Sequence, residues 1–330
     1  MFVCRIWIAG RTPRPICVRS DVVSDSVSSE TSSTEVAWGL QLPIQSQSSS
    51  FVQPWEPSAG SRELAAVAVA ADHAGVGYLA VCDHVAIPAD LTKAMGSEWF
   101  DTVATLGWLA GITTRARLLS HVFVAAYRHP AVTAKAFSTL DVLSEGRTIL
   151  GVGAGHVGDE FDLLGIEFTK RGTLTSTAIE EIREIFRTGT VKGAVVHPRP
   201  IQPAGPPIWV GGSSPAAVRR AALLGDGWLP QGIPESGMRR TIASLAEMRV
   251  DAGRTGDFAI GIHAGILRPT GEGRSEHTLS DHRSIVARLR SCIGVGATQL
   301  QVRFESDSVD ELVDAIGIFG GELWPQAVGV

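Results

Sequence analysis

The chain has 330 residues, of which 44% are hydrophobic, and a formal net charge of −5 at pH 7. This acidic balance provides no electrostatic footprint for nucleic acid or for an anionic membrane surface, so neither is an expected partner. The four cysteines show no C-x-x-C spacing. Their arrangement argues against a zinc site and a disulfide framework, and it predicts a protein without a metal in the reducing cytoplasm.

Residues 1–35 differ in character from the rest of the chain. Arg5, Arg11 and Arg14 interrupt any apolar signal-peptide core, and the serine-rich stretch that follows lacks periodicity. The sequence therefore predicts a disordered extension over 1–35 and a folded domain over 36–330. A transit peptide and translation from an upstream start codon are alternative explanations of the extension.

From residue 36 onward, short apolar strands alternate with amphipathic helices. The predicted strands cover 36–44, 78–83, 117–124, 148–152, 208–210, 227–229, 258–266 and 299–304. A helical segment follows each of them. This α/β pattern of eight units favours a closed (β/α)8 TIM barrel over an open doubly wound sheet.

The strongest local signal lies in residues 206–228, where a short buried strand runs into a glycine pair. Gly211 and Gly212 remove side chains where the backbone would approach a ligand, and Ser214-Pro215 predicts a helix start with serine at the N-cap. The free N–H groups of such a first turn form an anion site without a lysine. A tight strand-to-helix connection without a ligand is the alternative.

A second glycine motif follows the fourth predicted strand. Gly153, Gly155 and Gly158 match G-x-G-x-x-G, the pattern of a dinucleotide-binding turn. The context does not fit, because Gly165 and Gly172 are expected to interrupt any long helix and no second strand with a terminal acidic residue follows. These glycines are therefore predicted to form a loop at the carboxyl end of the strand.

Four segments together resemble the luciferase-like monooxygenase superfamily: 75–88, 118–155, 159–172 and 206–228. Within it, the chain is most similar to the oxidoreductases that use the deazaflavin coenzyme F420. The resemblance extends in order from about residue 36 to the C-terminus. It implies a barrel with the cofactor over the carboxyl ends of the strands, hydride transfer between F420 and a small organic substrate, and a homodimer.

The Asp83-His84 pair closes the second predicted strand. The resemblance places this pair against the deazaflavin ring, with His84 as the acid/base or as the stabiliser of the reduced ring. Asp83 is expected to contact the ring and to fix the tautomer of the histidine. Histidine suits this role because it can supply or accept a proton near neutral pH. A capping or buried histidine is the alternative.

The resemblance also implies further contacts to cofactor and substrate. Ser120, His121 and Val122 occupy the position of a non-prolyl cis peptide beneath the ring, with either Ser120–His121 or His121–Val122 as the bond. Asp159 is expected to contact the ring, and His156 either faces the substrate or lies in a surface loop. Backbone amides that would hold the cofactor's phosphate belong to Gly211, Gly212, Ser213 and Ser214.

Four neighbouring residues are predicted to have structural roles only. Arg128 is expected to form a salt bridge, and His129 is expected to be the N-cap of the next helix. Glu160 and Arg171 are predicted to form an ion pair under the loop that follows the fourth strand.

Two other functions compete with this prediction. FMN also carries a phosphate, so an FMN-dependent monooxygenase supplied with reduced flavin by a partner reductase is the main alternative. A barrel that binds F420 or flavin without turnover is another, suggested by the unusual His121 and His156. A cofactor-free isomerase or aldolase is disfavoured because a lysine for Schiff-base chemistry is scarce near the strand ends.

Overall fold

The computed structural model describes residues 36–49 and 51–329, so the predicted extension over 1–35 lies outside the described residues. The main strands, numbered β1 to β8 here, are Ala37–Gln41, Tyr78–Val81, Arg117–Ser120, Thr148–Gly153, Ile208–Gly211, Gly227–Leu229, Ala259–Leu267 and Gln299–Phe304. Neighbours in this series pair in parallel, and β8 pairs with β1, which closes the sheet. The predicted (β/α)8 TIM barrel is confirmed.

Helices surround the barrel and follow its strands. Their bounds are Ser61–His73, Thr92–Met95, Thr102–Ile112, Pro130–Leu143, Gly158–Leu163, Arg171–Thr188, Pro215–Leu224, Glu235–Asp251, His282–Gly294, Val309–Ile318 and Trp324–Val328. Short strands lie outside the barrel series at Phe123–Val124, Thr190–Val191, Ala194–Val195 and Thr278–Leu279. Among the described residues, no helix combines the length and the apolar character that crossing a membrane requires.

Two helix starts and one helix interior test the sequence predictions. The side chains of His129 and Ser214 each accept a hydrogen bond from a first-turn amide, so both predicted N-caps are confirmed. Gly165 does follow the end of a short helix, but Gly172 lies inside Arg171–Thr188, so the prediction that Gly172 interrupts a helix is wrong. Glycine leaves room there for Arg220, whose guanidinium donates to the Gly172 carbonyl at 2.8 Å and would lie 3.2 Å from a Cβ at this position.

The interior of the barrel is a packed core of aromatic and aliphatic side chains. The rings of Tyr78 and Trp209 meet edge to face with centroids 5.8 Å apart. Glycines on adjacent strands make room for them: a Cβ on Gly39 would lie 2.0 Å from the Tyr78 ring, and one on Gly227 would lie 2.5 Å from the Trp209 ring. A ligand therefore has to bind above this core, at an end of the barrel.

All eight strands run in the same direction, so their carboxyl ends share one rim of the barrel. His84 follows β2, His121 follows β3 and Gly212 follows β5. The third predicted strand is interrupted at His121–Val122, which is a cis peptide, and the chain resumes pairing at Phe123 opposite β4. The fold thus gathers the predicted site residues at the end where ligands bind in such barrels.

Candidate functional site

The imidazole of His84 is held in place by a carboxylate from another part of the chain. Its Nδ1 lies 2.7 Å from Oε2 of Glu160, and its ring packs edge to face on Trp99 with centroids 4.3 Å apart. Only 10% of the His84 side chain is exposed. Nε2 makes no hydrogen bond to any described residue, so this nitrogen is the one available to a ligand.

Glu160 accepts as many hydrogen bonds as a carboxylate can readily take. Besides His84, it accepts from the amides of Val85 at 2.6 Å and Ala86 at 3.1 Å, and from the hydroxyl of Tyr127 at 3.1 Å. Burial opposes its charge, but the hydrogen bonds from His84 and the two amides outweigh burial and lower the pKa of Glu160. An ionised Glu160 requires a proton on Nδ1 of His84, which leaves Nε2 of the neutral ring as a base.

Two sequence predictions about these carboxylates are wrong. Glu160 does not pair with Arg171, whose guanidinium instead donates to the carbonyl of Phe168 and stacks on its ring. Asp83 does not fix the tautomer of His84: it is 4% exposed and forms a two-pronged ion pair with Arg128, at 2.6 and 2.8 Å. Asp83 and His84 both lie beyond the end of β2, and their side chains meet different partners, Arg128 and Glu160.

Each oxygen of Asp83 accepts a second hydrogen bond besides the one from Arg128. Its Oδ2 accepts the amide of Val124 at 2.9 Å, and its Oδ1 accepts the hydroxyl of Thr102 at 3.1 Å. The carboxylate therefore fixes the chain after the cis peptide, and the predicted contact of Asp83 with the ring stays a prediction. The structural role predicted for Arg128 is confirmed by this ion pair.

Residues 120–122 form part of the floor at the mouth of the barrel. The hydroxyl of Ser120 is buried and bonds both the carbonyl and the amide of Gly151, at 2.9 and 3.0 Å, so it ties β3 to β4. The methyl groups of Val122 occupy space that side chains at Gly153 and Gly211 would fill, with Cβ positions 2.4 and 2.7 Å away. Val122 thus packs over these two glycines and is itself only half-buried, so its apolar side chain is part of the floor.

Polar side chains form the other half of the floor. Nδ1 of His121 lies 3.2 Å from Oε1 of Gln41, and Gln301 donates to the same oxygen at 2.8 Å. His263 on β7 and Arg303 on β8 complete this group. Burial, reinforced by the positive field of His263 and Arg303, lowers the pKa of His121 to about 3.

His263 experiences the same surroundings, although its side chain is accessible to solvent. His263 lies in the concave mouth of the barrel, where the protein displaces much of the bulk water. This desolvation is the largest influence on its pKa, which is lowered to about 4. Arg303 and Arg288 add positive field in the same direction. Both floor histidines are therefore neutral at pH 7.

Neutral floor histidines predict a stability that decreases in mild acid. The unfolded chain takes up protons below its ordinary histidine pKa of 6.5, whereas folded His121 does not until about pH 3. The stabilisation is thus complete above pH 6.5 and lost as the pH falls, with about 2 kcal/mol lost between pH 7 and pH 5. Urea unfolding at the two pH values measures it. His121→Gln is expected to reduce the loss, and an equal loss in that variant would contradict the assignment.

The segment after β4 brings one predicted residue to the site and leaves another at the surface. The rings of His156 and His84 lie edge to face with centroids 5.7 Å apart, so His156 borders the site from an exposed position. Although the side chain is accessible, the surrounding protein displaces part of its water, and this desolvation, followed by the field of His84, lowers the pKa of His156. Asp159 is exposed in the first turn of Gly158–Leu163 and makes no hydrogen bond to another described residue.

The turn after β5 has the features expected of an anion site. Gly212 has a φ of 107°, which favours glycine, and its amide and carbonyl bond Leu229 and Trp228. The hydroxyl of Ser213 accepts the amide of Gln231 at 2.7 Å, while the hydroxyl of Ser214 caps Pro215–Leu224. Within the described chain, the amides of Ser213 and Ser214 have no hydrogen-bond partner.

Sequence reasoning missed several residues of this site. Glu160 was expected to be structural, and Gln41, His263, Gln301 and Arg303 were not singled out. For β8 a signal existed, because QLQVRF places Gln299, Gln301 and Arg303 on one face of a strand whose other face is apolar. In a barrel, a polar inward face near the carboxyl end marks the ligand side.

The geometry defines a TIM barrel with a ligand site at its carboxyl rim, and comparison with known proteins identifies its family. The family model described as luciferase-like monooxygenase matches residues 44–276, which is more than half of the chain. The chain belongs to this family, whose members are oxidoreductases or monooxygenases.

The proteins similar in sequence include F420-dependent enzymes. An uncharacterised protein of Mycobacterium tuberculosis is 31% identical over 59% of this chain and 74% of its own length. An F420-dependent glucose-6-phosphate dehydrogenase of Amycolatopsis mediterranei is 31% identical over 52% of this chain and 53% of its own length.

Solved structures show the shared fold. An F420-dependent secondary alcohol dehydrogenase with an F420–acetone adduct superimposes with a TM-score of 0.70 at 17% identity, covering 89% of this chain and 99% of that one. The FMN-containing oxygenating component of 3,6-diketocamphane monooxygenase from Pseudomonas putida gives 0.65 at 15% identity, covering 82% and 95%.

Proposed function

We propose that this chain is an F420-dependent oxidoreductase that passes a hydride between the deazaflavin and a small organic substrate. The proposal depends on one observation: an imidazole and a turn lie on the same rim of one barrel, and no described residue bonds the Nε2 of the one or the Ser213 and Ser214 amides of the other. Similarity to F420-dependent dehydrogenases over 52% and 60% of the chain supports the choice of cofactor.

The residues at the rim suit a planar ring with a phosphate-bearing tail. The half-buried side chain of Val122, packed over Gly153 and Gly211, offers an apolar surface for the ring. The amides of Ser213 and Ser214, at the positive end of helix Pro215–Leu224, suit a phosphate oxygen. The deazaflavin, when bound, would accept or supply the hydride.

The protein's own contribution is to manage the accompanying proton. Interconversion of a carbonyl and an alcohol requires a proton at the substrate oxygen in addition to the hydride. Nε2 of His84 is placed to take or give it, because Glu160 holds the proton of the ring on Nδ1. Trp99 and His156 border the imidazole and restrict the directions from which a substrate approaches.

An FMN-dependent monooxygenase supplied with reduced flavin by a partner reductase is the second candidate. It is favoured by the similarity in fold to the FMN-containing Pseudomonas putida enzyme. The anion site does not discriminate between the two cofactors, since both carry a phosphate.

Titration of the purified chain with each cofactor tests the proposal. We expect F420 to bind with a change in its absorbance spectrum and FMN to bind more weakly. Gly212→Ala tests the role of the turn. Strain at a φ of 107° is expected to disturb the turn and to weaken binding of whichever cofactor uses it. Tight FMN binding with oxygen-dependent product formation, and no binding of F420, would refute the choice.

Three further expectations stay predictions: a homodimer, a cytoplasmic location and a small-molecule substrate. A barrel that binds cofactor without turnover is distinguished from an enzyme by the substitution at His84 argued in the Discussion.

A further inference from the structure

Arg303 is a cation at the mouth of the barrel that no carboxylate of the described residues contacts. It lies on the inward face of β8, two residues beyond Gln301, whose side chain reaches Gln41 across the floor. In the described part of the chain, its guanidinium has no carboxylate within ion-pair distance and no hydrogen bond to any group. Burial lowers the pKa of Arg303, which means that the folded protein destabilises this charge.

One face of the guanidinium is nevertheless held in place. The Phe51 ring lies against it, with the Cζ atom of Arg303 3.8 Å from the ring centroid. Phe51 is itself 46% exposed. Stacking on an aromatic ring occupies the face of a guanidinium and leaves its in-plane N–H donors free. Such a fork matches the two oxygens of a carboxylate.

The free donors border a cavity of about 240 Å³ between the carboxyl ends of β1 and β8. Polar lining groups include Gln41, Ser46 and Gln53, and the volume suits a small organic molecule. Two arginines line the cavity: Arg274, which pairs with Glu305 and Asp307, and Arg303, which forms no ion pair with any described residue.

The carboxylates that also line this cavity are engaged elsewhere. Glu56 accepts the amides of Ile44 at 2.7 Å and Gln53 at 2.9 Å, and burial, the largest influence on it, raises its pKa. Glu305 pairs with Arg268 at 3.3 Å and with Arg274 at 3.7 Å. Neither contacts Arg303 directly, and burial, which lowers the pKa of Arg303, outweighs the field of Glu56, which raises it.

The position of the cavity separates it from the anion site proposed for the cofactor. β1 lies four strands from β5 in a closed barrel of eight, so the two strands are on opposite sides of the barrel axis. The floor between them carries the neutral His121 and His263. An anion bound by Arg303 is therefore a different group from the phosphate that Ser213 would bind.

We infer that the substrate carries an anionic group, a carboxylate or a group of the same charge and shape, which Arg303 binds at the mouth of the barrel. This inference rests on the proposed function, because it describes the substrate of the same site. It also gives Phe51 a role, which is to hold the guanidinium in the plane that the carboxylate meets.

Matched pairs of acid and amide probes test the inference by calorimetry on the full chain, with and without F420. Benzoate and benzamide have the same shape, as do levulinate and its amide, and differ in charge. We expect each acid to bind at least about tenfold more tightly than its amide. Arg303→Met is expected to abolish the preference, and Arg303→Lys to retain part of it.

Arg187→Gln is the matched control, since Arg187 is an exposed arginine whose ion pair with Glu184 lies on the outer surface. The preference of this variant for each acid over its amide is expected to equal that of the unsubstituted chain. The Lys variant keeps the test decisive if the Met variant does not fold.

Three results would overturn the inference: no acid preference in the unsubstituted chain, a preference that survives in Arg303→Met, or an equal loss of F420 affinity in that variant, which would assign Arg303 to the cofactor. F420 binding without an acid preference removes this inference alone. An acid preference without F420 binding removes the proposed cofactor and leaves the subsite.

Discussion

Replacing His84 by alanine is expected to lower turnover by about 10²- to 10⁴-fold, the usual contribution of a positioned acid/base. The reason is local, because Nε2 is the nitrogen of this ring that no described residue engages, and Glu160 fixes the proton on the other one. Binding of F420 is expected to persist, since the phosphate turn lies after β5 and does not involve the imidazole. Absorbance of the bound deazaflavin, followed in single-turnover mixing with a substrate found by screening, measures the effect.

His129→Ala is the matched control for this variant. His129 is an exposed N-cap, so its loss is expected to cost about 1 kcal/mol of stability and to leave turnover unchanged. Unchanged turnover in His84→Ala would remove the role assigned to the imidazole. An unsubstituted chain that binds cofactor and turns over none of a broad panel of alcohols, ketones and acids would instead favour the non-catalytic barrel.

The fold was predictable from the chain because its signals are local. Apolar runs of strand length, glycines such as Gly225 at helix ends and capping residues such as Ser214 each depend on a few neighbouring residues. Eight repeats of the pattern leave few architectures open. Even the break within the third strand, at His121–Val122, falls on residues that the family resemblance singled out.

The partners within the site were less predictable because they depend on tertiary contacts. Asp83 and His84 are adjacent in sequence and were expected to act together, yet the partner of His84 is Glu160, 76 residues away. Arg303 was not predicted for a related reason. A single arginine in a strand indicates a ligand site only when its neighbours across the barrel are known to lack a free carboxylate. Local pattern places residues on the rim, and packing decides which of them meet.

Replacing Glu160 by glutamine is expected to lower turnover by about 10²- to 10⁴-fold, by analogy with triads in which an amide substitutes for the orienting carboxylate. The amide can present its NH₂ to Nδ1 of His84, and this favours the tautomer with the proton on Nε2, which is no longer a base. Nitrogen-15 NMR of the imidazole reports the tautomer directly, so the effect is separable from a general loss of structure.

Tyr127→Phe is the control for Glu160→Gln, because it removes one hydrogen bond to the same carboxylate without changing its charge. We expect the proton to stay on Nδ1 in this variant and turnover to fall by less than about tenfold, the loss of one neutral hydrogen bond. Burial, and then the charge of Glu160, raise the pKa of the Tyr127 hydroxyl, so it donates to Glu160 at every accessible pH. A Glu160→Gln chain that keeps both the Nδ1 proton and its turnover would show that another group orients His84.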